Sequence, residues 1–239
     1  MPLLDSSSSP LPPPDARLTS EFIVQSLAPF LSPKRRGRIE RTINQRLISV
    51  TVVLEDLYDP HNGAAVLRTC EAMGLFHVHV IPNRSGFRFA HQVTQRADKW
   101  LNVYLHSNTK ECFRYLKKAG FRCIGAFPPP VGNAPEPPIV PVDKPLAIIF
   151  GNEHTGLSEK AKAYCDGVFH LPMFGFSESL NLSVSVALAL QDVTNRRRHF
   201  IGRTGDFPLK ARQHLRAAYY AHSTRHAADL ILSNLRNQE

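Results

Sequence analysis

Short, apolar, β-branched runs alternate along this chain with segments of helix length, and that alternation most constrains its fold. Ser49–Glu55 reads SVTVVLE and Leu146–Phe150 reads LAIIF, with no polar face to turn toward water. A strand apolar on both sides must be covered on both sides, as happens in parallel sheets where crossover helices lie on each face. Further strands are predicted over 76–82, over 99–106 with the single tryptophan, Trp100, at its start, and over 121–127 and 168–171. Helices are predicted over 64–73, stopped by Gly74, and over 108–119, closed by Gly120. The pattern predicts an α/β fold with a mainly parallel sheet and helices on both faces. The 239 residues suffice for one good-sized core with extensions.

The flanks differ in kind. Residues 1–15 are rich in Ser and Pro, cannot bury enough apolar surface to offset ordering, and are expected to be a disordered tail. Residues 16–48 are expected to form a basic helical extension, 49–200 the catalytic-type core, and 201–239 a second helical extension. A helix over about 19–30 is followed by Ser32-Pro33, an N-cap serine and a proline at the first helical position. Ile39, Ile43 and Leu47 recur every four residues there, while Lys34, Arg35, Arg36, Arg38, Arg41 and Arg46 take the other faces.

Net charge is +9. Lys34–Arg46 holds six basic residues and one acid, and Arg196–Arg216 holds seven and one, so the remainder is slightly acidic. Two basic blocks flanking a near-neutral centre point to a polyanionic partner, with a solvated charged surface as the plainer alternative. No run approaches a membrane span, and the N-terminus has no basic flank before an apolar core. The four cysteines, Cys70, Cys112, Cys123 and Cys165, are scattered without CxxC spacing, which suits small buried thiols in a reducing compartment. With no secretory signal, a cytoplasmic location is expected. No histidine–carboxylate cluster suggests a catalytic metal, so none is expected.

The chemistry concentrates between Phe150 and Leu190. Gly151–Gly156 (GNEHTG) follows an apolar strand but is not a phosphate loop, since Leu157 and Ser158 stand where Lys and Ser/Thr are needed. The GxGxxG dinucleotide fingerprint is also missing. Residues 182–190 alternate strictly, a strand signal, but the continuation QDVTNRRR does not; the whole segment is read as a helix. Upstream, Ala64, Arg68 and Ala72 share one helical stripe, with Asn62 just before it as the default N-cap. Arg68 suits either an ion pair with an acid such as Glu71 or a bidentate grip on phosphate.

Three segments carry a resemblance: Asn62, five residues, then Arg68-Thr-Cys-Glu-Ala-Met-Gly74; Phe150-Gly-Asn-Glu-His-Thr-Gly-Leu-Ser158; and Leu171-Pro-Met-Phe-Gly-Phe-Ser-Glu-Ser-Leu-Asn-Leu-Ser-Val-Ser185. In order and spacing they resemble the motifs of the SpoU/TrmH branch of the SPOUT RNA methyltransferases. That resemblance implies an α/β fold whose C-terminal part is tied in a deep trefoil knot, an exception to the general rule against knots. It implies S-adenosylmethionine as cofactor, with Ala126, Gly151, Leu171 and Leu180 lining its pocket. It implies a catalytic set of Asn62, Arg68, Glu153, Ser179 and Asn181, and a homodimer through the helix after the last motif. The basic extensions resemble the members acting on tRNA, with ribose 2′-O-methylation of a D-loop guanosine, guanosine 18, as the implied reaction. Lys34, Arg35, Arg36, Arg38, Arg41, His61, Arg196, Arg197 and Arg198 are the expected RNA contacts. An rRNA methyltransferase of the same family and a non-catalytic RNA-binding module are the alternatives.

Overall fold

In the computed structural model the described residues are 17–82, 97–128 and 139–237, together with 11, 12 and 15. The expected disordered tail therefore lies almost wholly outside them. Among the described residues two compact units are present, one formed within 47–203 and the other by those up to Arg46 and from Thr204 onward.

The first unit is built on six parallel strands. They are β1 (Val50–Glu55), β2 (His77–Ile81), β3 (Asn102–Leu105), β4 (Arg122–Ala126), β5 (Leu146–Phe150) and β6 (Gly167–Phe169), in the order β3-β2-β1-β5-β4-β6. β1 and β5 are central, in register with Val52 beside Ile148, and every residue of both is buried. Helices α3 (Pro60–Ala72) and α6 (Leu182–Ile201) pack against each other and against one face, where Val52, Leu54, Val78, Leu146 and Ile148 meet Val66, Leu67, Val186 and Leu190. On the other face Val53, Ala147 and Ile149 lie against Cys112, Phe113 and Leu116 of α4 (Thr109–Lys118) and Ala161 of α5 (Glu159–Tyr164). The strands are apolar on both sides because both sides are covered.

Three local readings can be compared with the structure. Trp100 ends a short 3-10 turn, Ala97–Trp100, and β3 begins only at Asn102, which corrects the expected strand start. The start of α3 is also corrected. Its first turn begins at Pro60, with Asp59 as its N-cap, whose carboxylate accepts from the His61 N–H at 2.8 Å. Asn62 is thus inside the helix rather than its cap, which frees its side chain. Residues 182–190 are helical, as read, and the burial pattern explains the ambiguity. A strand would put residues 184, 186, 188 and 190 on one face. Here Val186 and Leu190 are buried while Val184 and Leu188 remain 45% and 50% exposed, a division only the 3.6-residue period gives.

The second unit holds α1 (Ser20–Leu27), α2 (Pro33–Gln45), α7 (Leu209–Ser223) and α8 (Ala227–Arg236). Ser32 caps α2 by accepting from the Arg35 N–H at 3.2 Å, and Ile39 and Ile43 dock the helix. Part of the basic block is internal. Arg46 is buried and donates to the Tyr219 hydroxyl at 2.9 Å, Arg35 reaches Ser223, and Arg216 pairs with Glu40. Lys34, Arg38 and Arg41 are exposed or partly so, and Arg36 is half-buried.

Candidate active site

The chain runs from β1 outward to β2 and β3, while β5, β4 and β6 lie on the other side of β1. The loops leaving the carboxyl ends of β1 and β5 consequently diverge, and in open parallel sheets such a crevice is where ligands bind. The candidate residues of this unit are placed by that divergence.

After β5 the chain makes a tight loop over 151–157. Asn152 and Gly156 exchange two backbone hydrogen bonds of 3.0 and 2.9 Å. Gly156 has φ +69°, a left-handed conformation. A Cβ on Gly151 would lie 2.2 Å from the carbonyl of Gly156 and 2.4 Å from the nitrogen of Leu157. Glycine is required there because backbone passes against backbone. The Asn152 side chain locks the turn, accepting from the His154 and Thr155 N–H groups and donating to the Asp56 carbonyl at 2.7 Å. The loop after β5 is thereby tied to the loop after β1.

A second tie is Glu55, the last residue of β1, only 3% exposed. Its carboxylate accepts from the Thr109 hydroxyl at 2.7 Å and from the N–H and hydroxyl of Ser158 at 3.0 and 2.9 Å. Ser158 in turn caps α5. Sequence reasoning missed Glu55; its signal was a carboxylate closing an otherwise buried apolar strand.

Asn62, Glu153 and Asn181, which lie far apart in sequence, meet at the crevice. Glu153 accepts from Asn62 Nδ2 at 2.8 Å and from the Tyr58 N–H at 3.1 Å. A carboxylate only accepts, so it fixes which end of the Asn62 amide faces it. Asn62 Oδ1 is then left to accept from Asn181 Nδ2 at 3.0 Å. That turns Asn181 Oδ1 toward α6, where it accepts from the Ser183 N–H at 2.9 Å as the helix N-cap. One charge at Glu153 orients two amides and the start of α6.

Beside this chain lies a cavity of about 640 Å³, within the ordinary range of small-molecule sites. Its lining includes all four expected cofactor residues, Ala126, Gly151, Leu171 and Leu180, together with Asn62, Glu153, Ser179 and Asn181. Ser179 contributes its exposed side chain and, among the described residues, makes no hydrogen bond. Arg68 is not among the lining residues. It is exposed on α3 and, among the described residues, has no ion pair or hydrogen bond, so the pairing with Glu71 is not formed. Cys70, two residues on, is fully buried, and burial pushes its thiol above the usual range.

The arginines at the end of α6 all have partners within the protein. Arg196 pairs with Asp192 and donates to the Val140 carbonyl, Arg197 donates to Ser49 and the Val142 carbonyl, and Arg198 donates to the Met73 carbonyl. Arg197 is 7% exposed. These guanidiniums pin α6 to surrounding backbone, while Arg196 and Arg198 stay partly exposed. His61 is exposed on the first turn of α3.

Histidines also meet away from the cavity. His79, His106 and Cys112 bring three metal-ligating atoms within 4.8 Å, a grouping the sequence did not reveal. The facing ring nitrogens of His79 and His106 are 2.9 Å apart and engage each other. Burial, with His106 and His77 nearby, pushes His79 down to about 3 and keeps it neutral.

A parallel α/β sheet with a cavity at its switch point defines a small-molecule-binding α/β protein, an architecture that many activities share. The solved TrmH/SpoU tRNA-modifying enzyme of A. aeolicus matches with a TM-score of 0.68 at 23% identity, covering 80% of this chain and 96% of that one. Residues 49–191 match the model of the SpoU rRNA Methylase family, and the chain belongs to that family. Among similar proteins, one from Thermus thermophilus named tRNA (guanosine(18)-2′-O)-methyltransferase is 36% identical over 164 residues, 68% of this chain and 83% of its own. One of the same name from Borreliella burgdorferi is 33% identical over 172 residues, 72% of this chain and 78% of its own.

Proposed function

We propose that this chain is an S-adenosylmethionine-dependent tRNA ribose 2′-O-methyltransferase acting on guanosine 18 of the D-loop. The carrying observation is the Glu153–Asn62–Asn181 chain beside the cavity, inside the segment that matches the methylase family. The cavity fits a donor of this kind. It is of small-molecule size, and part of its wall is the loop after β5, which is tight enough that Gly151 backbone passes against Gly156 backbone. Ala126, Gly151, Leu171 and Leu180 hold the cofactor, which supplies a methyl group already activated on sulfonium.

The protein's task is then to position and to stabilise charge. Asn62 and Asn181, oriented by Glu153, fix the wall facing the ribose, and Ser179 shapes the loop before α6. Arg68, exposed and without a partner among the described residues, grips a phosphate with its planar fork and steadies the charge that develops on the 2′-oxygen. Lys34, Arg35, Arg36, Arg38 and Arg41 of α2, with His61, hold the RNA backbone, which makes binding strongly salt-dependent. Residues 16–48 and 201–239 act as RNA-binding extensions of a methyltransferase domain over 49–200, whose C-terminal part forms the trefoil knot. A second copy packs on α6, whose Val184 and Leu188 are exposed. Among the described residues no helix is long and apolar enough to cross a membrane, and the enzyme works in the cytoplasm.

Incubation with tRNA transcripts and methyl-labelled S-adenosylmethionine tests this reading. Nucleoside mass spectrometry is expected to give 2′-O-methylguanosine from position 18. Methylation of rRNA alone would move the substrate, and no ribose methylation of either RNA would overturn the enzyme assignment.

A further inference from the structure

We propose that Tyr58, with His154 packed edge-on against it, is a stacking shelf for an unpaired RNA base beside the cavity. The inference rests on RNA being the substrate, and it names how one nucleotide is held.

Tyr58 sits in the loop after β1 and is 71% exposed. A single exposed aromatic needs no explanation by itself. This one is held in place from several sides. Its N–H donates to Glu153 at 3.1 Å, the carboxylate that also orients Asn62. Two residues earlier Asp56 has φ +55°, the left-handed region that favours glycine. Its carbonyl accepts from Asn152, so the turn is held by the loop after β5. Leu57 is buried at 2% and anchors the turn, while Tyr58 projects to solvent. Backbone strain of this kind persists only where the surroundings over-determine it.

His154, which lines the cavity, meets Tyr58 with ring centroids 5.6 Å apart and planes at 73°. Neither the Tyr58 hydroxyl nor the His154 ring has a hydrogen-bond partner among the described residues. Two exposed rings thus meet steeply on loops held by hydrogen bonds of their backbone and have no internal duty. The edge-on contact leaves the outer face of the tyrosine open. An aromatic face suits a nucleobase, because every base has a π-face, and bases of single-stranded loops can be splayed out onto such a surface. Glu153 accepts from both Tyr58 and Asn62, which places the shelf next to the wall of the site, where a seated base adds to RNA affinity.

The test compares Tyr58→Ala, Tyr58→Leu and Tyr58→Phe in the full-length protein. RNA affinity is read by fluorescence anisotropy, KM and kcat by methyl transfer, and cofactor affinity by calorimetry. Tyr58→Ala is expected to weaken RNA binding and raise KM by about 5- to 150-fold, the worth of one stacked base, with kcat changed far less and cofactor affinity unchanged. Tyr58→Phe rescues, and Tyr58→Leu behaves like Ala. A Tyr58→Ala value within about twofold of wild type, well below the worth of one stacked base, or rescue by Leu equal to that by Phe, overturns the shelf. Because anisotropy needs no turnover, loss of RNA binding in Tyr58→Ala together with no methylation by wild type would sustain the shelf and reject the enzyme assignment.

Discussion

Exchanging the polarity of Asn62 and Glu153 tests whether one carboxylate orients the wall of the site. Glu153 accepts two hydrogen bonds, from Asn62 Nδ2 and the Tyr58 N–H, at 2.8 and 3.1 Å. In Glu153→Gln one oxygen becomes an NH2 group, so one of those donors faces another donor. A bond to a charged group is worth about 1.5–3 kcal/mol, and a loss of about 2 kcal/mol is expected. Asn62→Asp alone sets two carboxylates face to face at the same spot, losing the bond and adding repulsion, so about 2 kcal/mol or more is lost. In the double variant the polarity reverses but every bond returns. The amide introduced at position 153 donates to the carboxylate introduced at position 62 and accepts from the Tyr58 N–H. That carboxylate still accepts from Asn181. Stability and turnover of the double variant are expected to recover toward wild type, giving a coupling energy of about 2 kcal/mol or more in a double-mutant cycle. Urea unfolding of the four proteins measures it without relying on activity, and methyl transfer adds a second readout. Additivity of the two single losses to within about 0.5 kcal/mol, as for independent sites, would refute the relay.

Other consequences are separable. Arg68→Ala is expected to remove methyl transfer almost completely while leaving the unfolding midpoint and S-adenosylmethionine affinity near wild type, because Arg68 is exposed and has no partner among the described residues; calorimetry beside an activity assay checks it. Gly151→Ala puts a methyl group 2.2 Å from the Gly156 carbonyl. Relief requires opening the Asn152–Gly156 pair, at about 1 kcal/mol for each of its two bonds, so cofactor affinity is expected to fall about 30-fold in the same calorimetric titration. His79 supplies a pH dependence. It stays neutral in the folded protein down to about 3 against an ordinary value of 6.5, so the unfolded chain binds the extra proton between those values. Its contribution is complete above pH 6.5 and is lost as pH falls. From about pH 7 to about pH 5 that loss is about 2 kcal/mol, read as a drop in the urea midpoint, and His79→Phe is expected to reduce the drop.

The sheet was legible because its strands are apolar on both sides, and that pattern has one common structural cause. What escaped was short or needed a partner. Helix α5 has six residues, mostly exposed, too few for a periodic stripe to stand out. The start of α3 was misplaced although Asp59-Pro60 repeats the cap-then-proline signal that correctly placed α2 at Ser32-Pro33. The misplacement mattered, because an Asn62 acting as N-cap would commit its Oδ1 to its own helix and have no acceptor to offer Asn181 Nδ2. Alternation in 182–190 gave the wrong period a fair hearing because serines and alanines interrupt the stripe that leucines would otherwise mark.

Site residues were legible as types and not as relations. Asn62, Glu153 and Asn181 were named because three motifs fall in order, yet their spacing says nothing of who bonds whom. The bonded partners are 91 and 119 residues apart in sequence. The direction of each amide follows from Glu153 being acceptor-only, and that deduction needs the contact first. Charge counting is silent on relations too. Arg196, Arg197 and Arg198 add to the same basic block as Lys210, but their guanidiniums turn to the carbonyls of Val140, Val142 and Met73. A guanidinium has five donors and a long apolar stem, which lets it serve as a bracket inside a protein as readily as a clamp on phosphate. Formal charge cannot separate the two uses. Partner and exposure can. By that criterion Arg68, which the sequence had placed on a helix stripe, is available for phosphate: it faces solvent and has no partner among the described residues.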